Sequence, residues 1–298
     1  MQRSRLARVM TLAASPGPQA VRLPRDGVAR LAERLERDFG QVDTPAAGVV
    51  AHQFLLDALD RGEHRAMTVW PTAEEPEGVC YVGAGGLIVP GGVPESARPL
   101  AAAVRSSGWR VLVGDLEIGR AIVDDAGAAL FRRRPYAREQ RLMVAGRRPP
   151  SPPDGGGLRR AASSDIDVLT DFACGLHVED QMGPPLSRGG RSSVRQRVSN
   201  SIRRGTSWVV EADGRVVAKI DVSIESRRRG AQLAGVYVDE SWRGRGVARR
   251  GIAALTTRLL DAGMPFVTLH VRADNTAAIH AYAAAGFAQR RRWLLALR

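Results

Sequence analysis

Apolar residues recur along this chain with two periods, and the switching between them lays out the elements. Val28, Leu31, Ala32, Leu35 and Phe39 fall three and four apart, which predicts an amphipathic helix over 28–39. A second helix is expected over 49–60. Short runs rich in β-branched and aromatic residues follow at 66–70 and 78–83, parted by an acidic, proline-bearing turn at 71–77, and read as a hairpin. Next come a strand at 86–90, a helix at 94–107 with proline at its start, a strand at 109–114 and a helix at 116–131. Strand, helix, strand with short connections implies a right-handed crossover and a parallel pairing. The run Leu142-Met-Val-Ala145 is expected to close this sheet.

The pattern then stops. Gly146-Arg-Arg-Pro-Pro-Ser-Pro-Pro-Asp-Gly-Gly-Gly157 holds four prolines and four glycines, which neither a helix nor a central strand tolerates, so 146–157 is read as a linker between domains at 20–145 and 158–298. After it come a strand at 158–161, a helix from the hydroxyl-capped Ser163 to about Leu176, a glycine- and proline-rich loop, and a helix at 192–203. Strands at 206–211 and 215–224 are joined by Asp213-Gly214, a hairpin signal, and a third strand lies at 231–238. A helix at 249–262, a strand at 266–271, a helix at 275–285 and a strand at 292–297 complete the order βααβββαβαβ.

The chain has 298 residues, long for one core and comfortable for two. No apolar run approaches the roughly 20 residues that cross a bilayer, so no membrane partner is expected and the cytoplasm is the expected location. The basic start of the chain is followed by an apolar run broken by Arg8. Residues 1–19 are therefore read as a disordered leader and not as a cleaved signal. The net charge is +13, and of the 44 basic residues all but Lys219 are arginine, which points to a compositional bias more than to a nucleic-acid surface. Residues 1–150 carry 21 basic and 17 acidic groups, whereas 151–298 carry 23 and 14. The excess thus sits in the second half, where it would serve an anionic cofactor; nucleic acid is the less favoured reading. Cys80 and Cys174 lack metal-ligand spacing and read as reduced, buried thiols, and no set of His, Cys and carboxylates suggests a metal.

One stretch of the second half carries chemistry. Leu233-Ala-Gly-Val-Tyr-Val-Asp-Glu-Ser-Trp-Arg-Gly-Arg-Gly-Val-Ala248 runs from a strand through a glycine-punctuated loop into a helix. Gly244 and Gly246 let successive N–H groups converge where the helix begins, and such a point attracts phosphate. Arg243, Arg245, Arg249 and Arg250 surround it with forks suited to a diphosphate. By itself a GxG fragment is weak.

Taken with its surroundings, the stretch resembles the GCN5-related N-acetyltransferase (GNAT) superfamily. Arg243-Gly-Arg-Gly-Val-Ala248 is similar to that family's Arg/Gln-x-x-Gly-x-Gly/Ala loop, and Val236-Tyr-Val238 to the strand before it, which splays from its neighbour. Asn275-Thr-Ala-Ala-Ile-His-Ala-Tyr-Ala-Ala-Ala-Gly-Phe287 resembles the family's N-x-x-A-x-x-x-Y-x-x-x-G-F signature. The resemblance covers about 158–298. It implies an α/β (α+β) fold of mixed, mostly antiparallel sheet flanked by helices, and transfer of an acetyl group from acetyl-CoA to an amine acceptor in a ternary complex. The implied cofactor site is Val236, Tyr237, Val238, Arg243, Gly244, Arg245, Gly246, Val247, Ala248, Asn275 and Tyr282, of which Asn275 and Tyr282 are the implied catalytic pair. Seven residues apart, these two share about one helix face: Asn275 is placed to cap the helix and Tyr282 to protonate the leaving thiolate. The first half lacks the loop pattern at Pro90-Gly-Gly-Val-Pro94 and resembles the degenerate N-terminal domain of bacterial tandem GNAT proteins. Two tandem GNAT-like domains are thus expected, the first shaping the substrate cleft or a homodimer contact.

The general base stays open. The strand position where relatives carry an acid falls on Gln232, which cannot serve; Glu225, Asp221, Glu179 and Asp180 are the alternatives, or an amine that arrives neutral. His270 and His280 lie near the motifs in sequence and are read as packed or surface residues. Two rival readings are a nucleic-acid-binding or regulatory protein that keeps the scaffold, and a transferase fed by aminoacyl-tRNA.

Overall fold

The structure is a computed structural model that describes residues 18–41, 45–127, 135–149, 157–182 and 185–298. The expected leader, apart from its last two residues, the middle of the linker and the end of the helix expected at 116–131 lie outside the described residues. In the first half the chain forms β1 (Val21–Arg22), α1 (Val28–Glu36), α2 (Pro45–Ala51), α3 (Gln53–Asp60), β2 (Met67–Pro71), β3 (Pro76–Val82), β4 (Leu87–Gly92), α4 (Ala97–Val104), β5 (Val111–Asp115), α5 (Leu116–Gly127) and β6 (Tyr136–Ala145). The second half forms β7 (Leu158–Arg160), α6 (Ile166–Glu179), α7 (Arg188–Arg203), β8 (Ser207–Ala212), β9 (Arg215–Ser226), β10 (Gly230–Val238), α8 (Val247–Asp261), β11 (Val267–Arg272), α9 (Thr276–Ala284) and β12 (Ala288–Leu297). The mixed α/β fold agrees with the sequence pattern, with β1 added and the helix expected at 49–60 divided into α2 and α3.

Two helices are shorter than their hydrophobic period. α1 buries Leu31 and Leu35 completely, worth roughly 1.5–3 kcal/mol each, but stops before Asp38 and Phe39, which adopt the left-handed conformation at φ 47° and 55°. A tertiary contact explains the break: the buried Asp38 carboxylate pairs with His52 and with both guanidinium nitrogens of Arg291, 3.0 and 2.7 Å away. Burial alone would raise this carboxyl, yet His52 and Arg291 hold it below the usual range. The helix expected over 49–60 is likewise divided at His52, whose ring serves Asp38.

The largest departure is in the sheet. Instead of two sheets, the described residues form one of twelve strands, in the order β1-β2-β3-β4-β5-β12-β6-β11-β10-β9-β8-β7. Read inward from either end, each half contributes five strands in succession, and then the last strand of the other half: β12 lies against β5, and β6 lies against β11. The two exchanged strands pair with each other, Ala288 to Leu297 against Val144 to Tyr136, and join the halves. The run 142–145 therefore closes the other half's sheet, not its own. Every pairing is antiparallel except β4 with β5 and β10 with β11, the pairs that the crossovers require.

Side chains pin the halves as well. Gln53 of α3 donates to the Arg229 carbonyl at 2.9 Å and accepts from Thr268 Oγ1. Arg229, 2% exposed in the turn between β9 and β10, reaches back to Asp60 at 2.7 Å and Glu36 at 2.6 Å. Its charge is matched by first-half carboxylates, without which its burial would be costly.

Candidate active site

β10 and β11 pair over Ala231, Gln232 and Leu233 only, and then part. On its other edge β10 is bulged between Ala234 and Tyr237, where Gly235 adopts φ 56°. Glycine suits this place because an L side chain at that φ is strained, and a Cβ there would also push against the Asp221 carboxylate, 2.7 Å away. The parting leaves Gly235–Val238 facing a gap on the β11 side, while Tyr237 and Val238 pair with Lys219 and Ala218 of β9 on the other.

The chain leaves β10 through a turn whose Asp239 carboxylate accepts from the Ser241 N–H at 2.9 Å, and enters α8 through Gly244 and Gly246, at φ 73° and 74°. A Cβ at Gly244 would meet nothing within 4 Å, so conformation, not space, calls for glycine there. The first intrahelical bond is Arg250 N–H to the Gly246 carbonyl, which leaves the N–H groups at the helix start free for an anion. They open on a cleft of about 590 Å³ lined by Val236, Tyr237, Val238, Arg243, Gly244, Gly246, Val247 and Ala248 on one side and by Asn275 and Tyr282 on the other. A narrower cavity of about 90 Å³ continues it between the parted strands, past Leu233, Gly235, His270, Asn275 and Tyr282.

Asn275 caps α9 through Oδ1, which accepts from Ala278 N–H at 3.0 Å. Tyr282 is 7% exposed, and burial together with the charge of Asp180 pushes its phenol up, so it carries its proton at neutral pH. The arginines divide. Arg249 lines the cleft, whereas Arg245 lies outside the lining, its guanidinium 4.9 Å over the Trp242 ring. Arg243 lines the cleft with its guanidinium turned inward, donating to the Val238 carbonyl at 3.1 Å, paired with Glu179 and 5.3 Å from the Tyr237 ring.

The four alternatives for a base separate clearly. Asp221 is engaged by Lys219 and by the Ser207 hydroxyl, 2.6 Å away. Glu225 is exposed on β9 outside the cleft, and Glu179 is held by Arg243. Asp180 lines the cleft, the narrow cavity and a third space beneath α6 and α7. Burial raises its carboxyl above the usual range, against the pull of Arg138 and Arg272. Gln232 stands in the sheet with its amide oxygen accepting from Ser223, and His280 is exposed on α9. Cys80 is buried, its thiol pushed up to about 12, and Cys174 is half-buried.

Sequence patterns missed what other elements bring. Leu176 arrives from α6, beside Glu179 and Asp180 already named from the sequence, and Gly175 lets the helix approach the Tyr237 hydroxyl: a Cβ there would lie 2.7 Å from it. Arg138 and Gln140 arrive on the exchanged strand β6, Gln140 lining the narrow cavity and Arg138 donating to the Asp180 carbonyl. No motif marks them, because the strand that carries them belongs to the first half.

A parted pair of parallel strands, a glycine-entered helix and a capped helix bearing a buried tyrosine thus meet at one cleft. The family model described as "Acetyltransferase (GNAT) family" matches residues 178–287, and this stretch of the chain belongs to the GNAT superfamily. It is 39% identical over 74 residues to an acetyltransferase of Sodalis glossinidius, a match covering 25% of this chain and 51% of the relative. The chain thus spans about half the length of that relative. Among solved structures, a GNAT-family acetyltransferase from Colwellia psychrerythraea superposes with a TM-score of 0.55 at 15% identity, covering 94% of this chain and 99% of the other. A GCN5-related N-acetyltransferase from Sphaerobacter thermophilus gives 0.55 at 17% identity over 91% of each chain. These two share the fold over both halves. Among the described residues no helix is long and apolar enough to cross a membrane.

Proposed function

We propose that the protein is an N-acetyltransferase that moves an acetyl group from acetyl-CoA to a primary amine by direct attack, with one cofactor site in the second half. The observation that supports this most is the single cleft on which the α8 N-terminus, the parted β10 and Tyr282 converge. In this reading the free N–H groups from Gly244 to Ala248, with Arg249, hold the diphosphate, and Arg243 braces the loop against Val238 and Glu179. The N–H groups of Val236 to Val238 hold the pantetheine arm and polarise the carbonyl; such donors act in the manner of an oxyanion hole, each worth about 3–4 kcal/mol of barrier. Tyr282, kept protonated by burial, gives its proton to the leaving thiolate, and Asn275 fixes the start of its helix. Asp180, beside the same cavity with a raised pKa, takes the proton of the attacking amine. Residues 158–298 supply this machinery, and 20–145 completes the walls through β6.

Calorimetric titration with acetyl-CoA tests the reading. One equivalent binds the wild-type chain, and Gly246→Asp, which adds a Cβ at φ 74° and a carboxylate where the diphosphate sits, weakens binding by at least about 100-fold, some 2.7 kcal/mol. A wild-type chain that does not bind acetyl-CoA refutes the proposal.

A further inference from the structure

A second cavity, of about 230 Å³, lies at the junction of the halves. Thr268 and His270 turn to the side of the sheet on which α3 packs, as the bond from Thr268 to Gln53 shows, whereas Leu269 and Val271 join the core with α8. On that side α2 and α3 bridge over β9, β10 and β11 and leave this space between them. Its wall is largely apolar, with Val50, Phe54, Leu87, Val89 and Leu142, and among the described residues it carries no carboxylate, arginine or lysine. Two features distinguish it from a packing defect. His270 forms part of its wall and also part of the wall of the narrow cavity beside Tyr282, so the two spaces adjoin. The other is that two buried nitrogens of its lining residues, Trp293 Nε1 and His52 Nδ1, have no hydrogen-bond partner.

We propose that this cavity seats the acceptor, and that it selects a small primary amine whose body is apolar, uncharged and furnished with one hydrogen-bond-accepting oxygen. The inference rests on the acetyltransferase reading above and gives it a substrate class. The volume lies below the roughly 300–1,000 Å³ of sites for larger ligands, which restricts the body to a compact one. A wall without carboxylates offers nothing to the extra charges of a polyamine. An indole N–H only donates, and left unpaired in a buried place it is costly; in the proposed complex it is the group of the lining residues with which the body's oxygen pairs. His270, stacked on Trp293 with ring centroids 5.5 Å apart, stands between the body and the reacting end. Burial holds its imidazole down to about 4, and an uncharged ring does not repel an incoming ammonium.

The test is the release of free CoA with tyramine, phenethylamine, spermidine and a lysine-bearing peptide as acceptors, beside calorimetry with acetyl-CoA. Tyramine is expected to show a kcat/KM at least tenfold above those of spermidine and the peptide, and several-fold above that of phenethylamine. Trp293→Phe erases the gap between tyramine and phenethylamine. Ala51→Trp, which fills the cavity from α2, lowers turnover of both at least tenfold; in each variant acetyl-CoA affinity is unchanged, a readout that a misfolded chain would not pass. Preference for spermidine or the peptide, an inert tyramine in a chain that binds acetyl-CoA, or full tyramine turnover by Ala51→Trp would overturn the acceptor assignment alone. Failure of acetyl-CoA to bind would instead overturn the transferase reading beneath it.

Discussion

The two halves place the same wedge at matching points of the sheet, and only one of them is open. β4 and β5 pair in parallel over Leu87 and Ile88 and then diverge, as β10 and β11 do after Leu233. In the first half the gap is filled: Pro90 lies so close to Gly114 that a Cβ there would come within 2.4 Å of Pro90 Cδ. The turn into α4 carries Pro94, which has no N–H to offer, and Ser96, fully buried and donating to the Val93 carbonyl at 2.7 Å. Where Asn275 caps α9, Asp115 caps α5, accepting from Glu117 N–H at 2.9 Å, a carboxylate where an anionic ligand would come. Seven residues after Asp115 stands the buried Ile122, in place of a tyrosine. A fold that makes a wedge does not by itself make a site; the filling of the wedge decides.

Breaking the open wedge chemically has the largest expected effect on rate. Tyr282→Phe should lower kcat for CoA release by about 10²–10³ with little change in acetyl-CoA affinity, in the range that a general acid contributes. An unchanged kcat would remove Tyr282 from the chemistry. Asp180→Asn should cost about 10² in kcat/KM. The sign of its pH dependence follows from burial: a base must be ionised, its pKa is raised, and wild-type activity should therefore fall on acidification at a higher pH than an ordinary aspartate would give. The variant should lack that limb, which a pH profile of kcat/KM would show.

Loosening the joint between the wedges comes next. Arg229→Met removes the buried partner of Asp60 and Glu36, each about a third exposed, leaves them only the exposed Arg228, and should lower stability by about 1–2 kcal/mol in urea unfolding. The least effect is expected from the filled side. Pro90→Gly should not create a second acetyl-CoA site, because Pro94 and Asp115 remain, and titration should still give one equivalent. Two equivalents would show that Pro90 alone closes the first half.

Much of the second half was legible because its chemistry is local. Gly244 and Gly246 are required by backbone conformation, and Asn275 and Tyr282 by spacing along one helix, so both signals survive in a linear reading. Arg245 satisfied the same pattern and still turned away, onto Trp242, since a solvent-facing side chain goes to whichever partner is nearest. Asp180 could be named only as one of four carboxylates; its advantage lies in sharing a cavity with Tyr282, which sequence distance conceals.

The sequence by itself determined the elements, the parallel crossovers, the open loop of the second half and its absence from the first, since periodicity, glycine φ and proline are properties of neighbouring residues. Only the tertiary structure decided that β6 and β12 change places, that Gln140 reaches the second half's narrow cavity and Arg138 the Asp180 carbonyl, and that α2 and α3 roof a cavity beside it. Strand exchange leaves each strand's own alternation of buried and exposed residues intact, whichever sheet receives it, so the hydrophobic pattern is the same for both arrangements. The partner is chosen by contacts far apart in the chain, such as Arg291 with Asp38 at 253 residues and Arg229 with Asp60 at 169, and those exist only once the chain has folded.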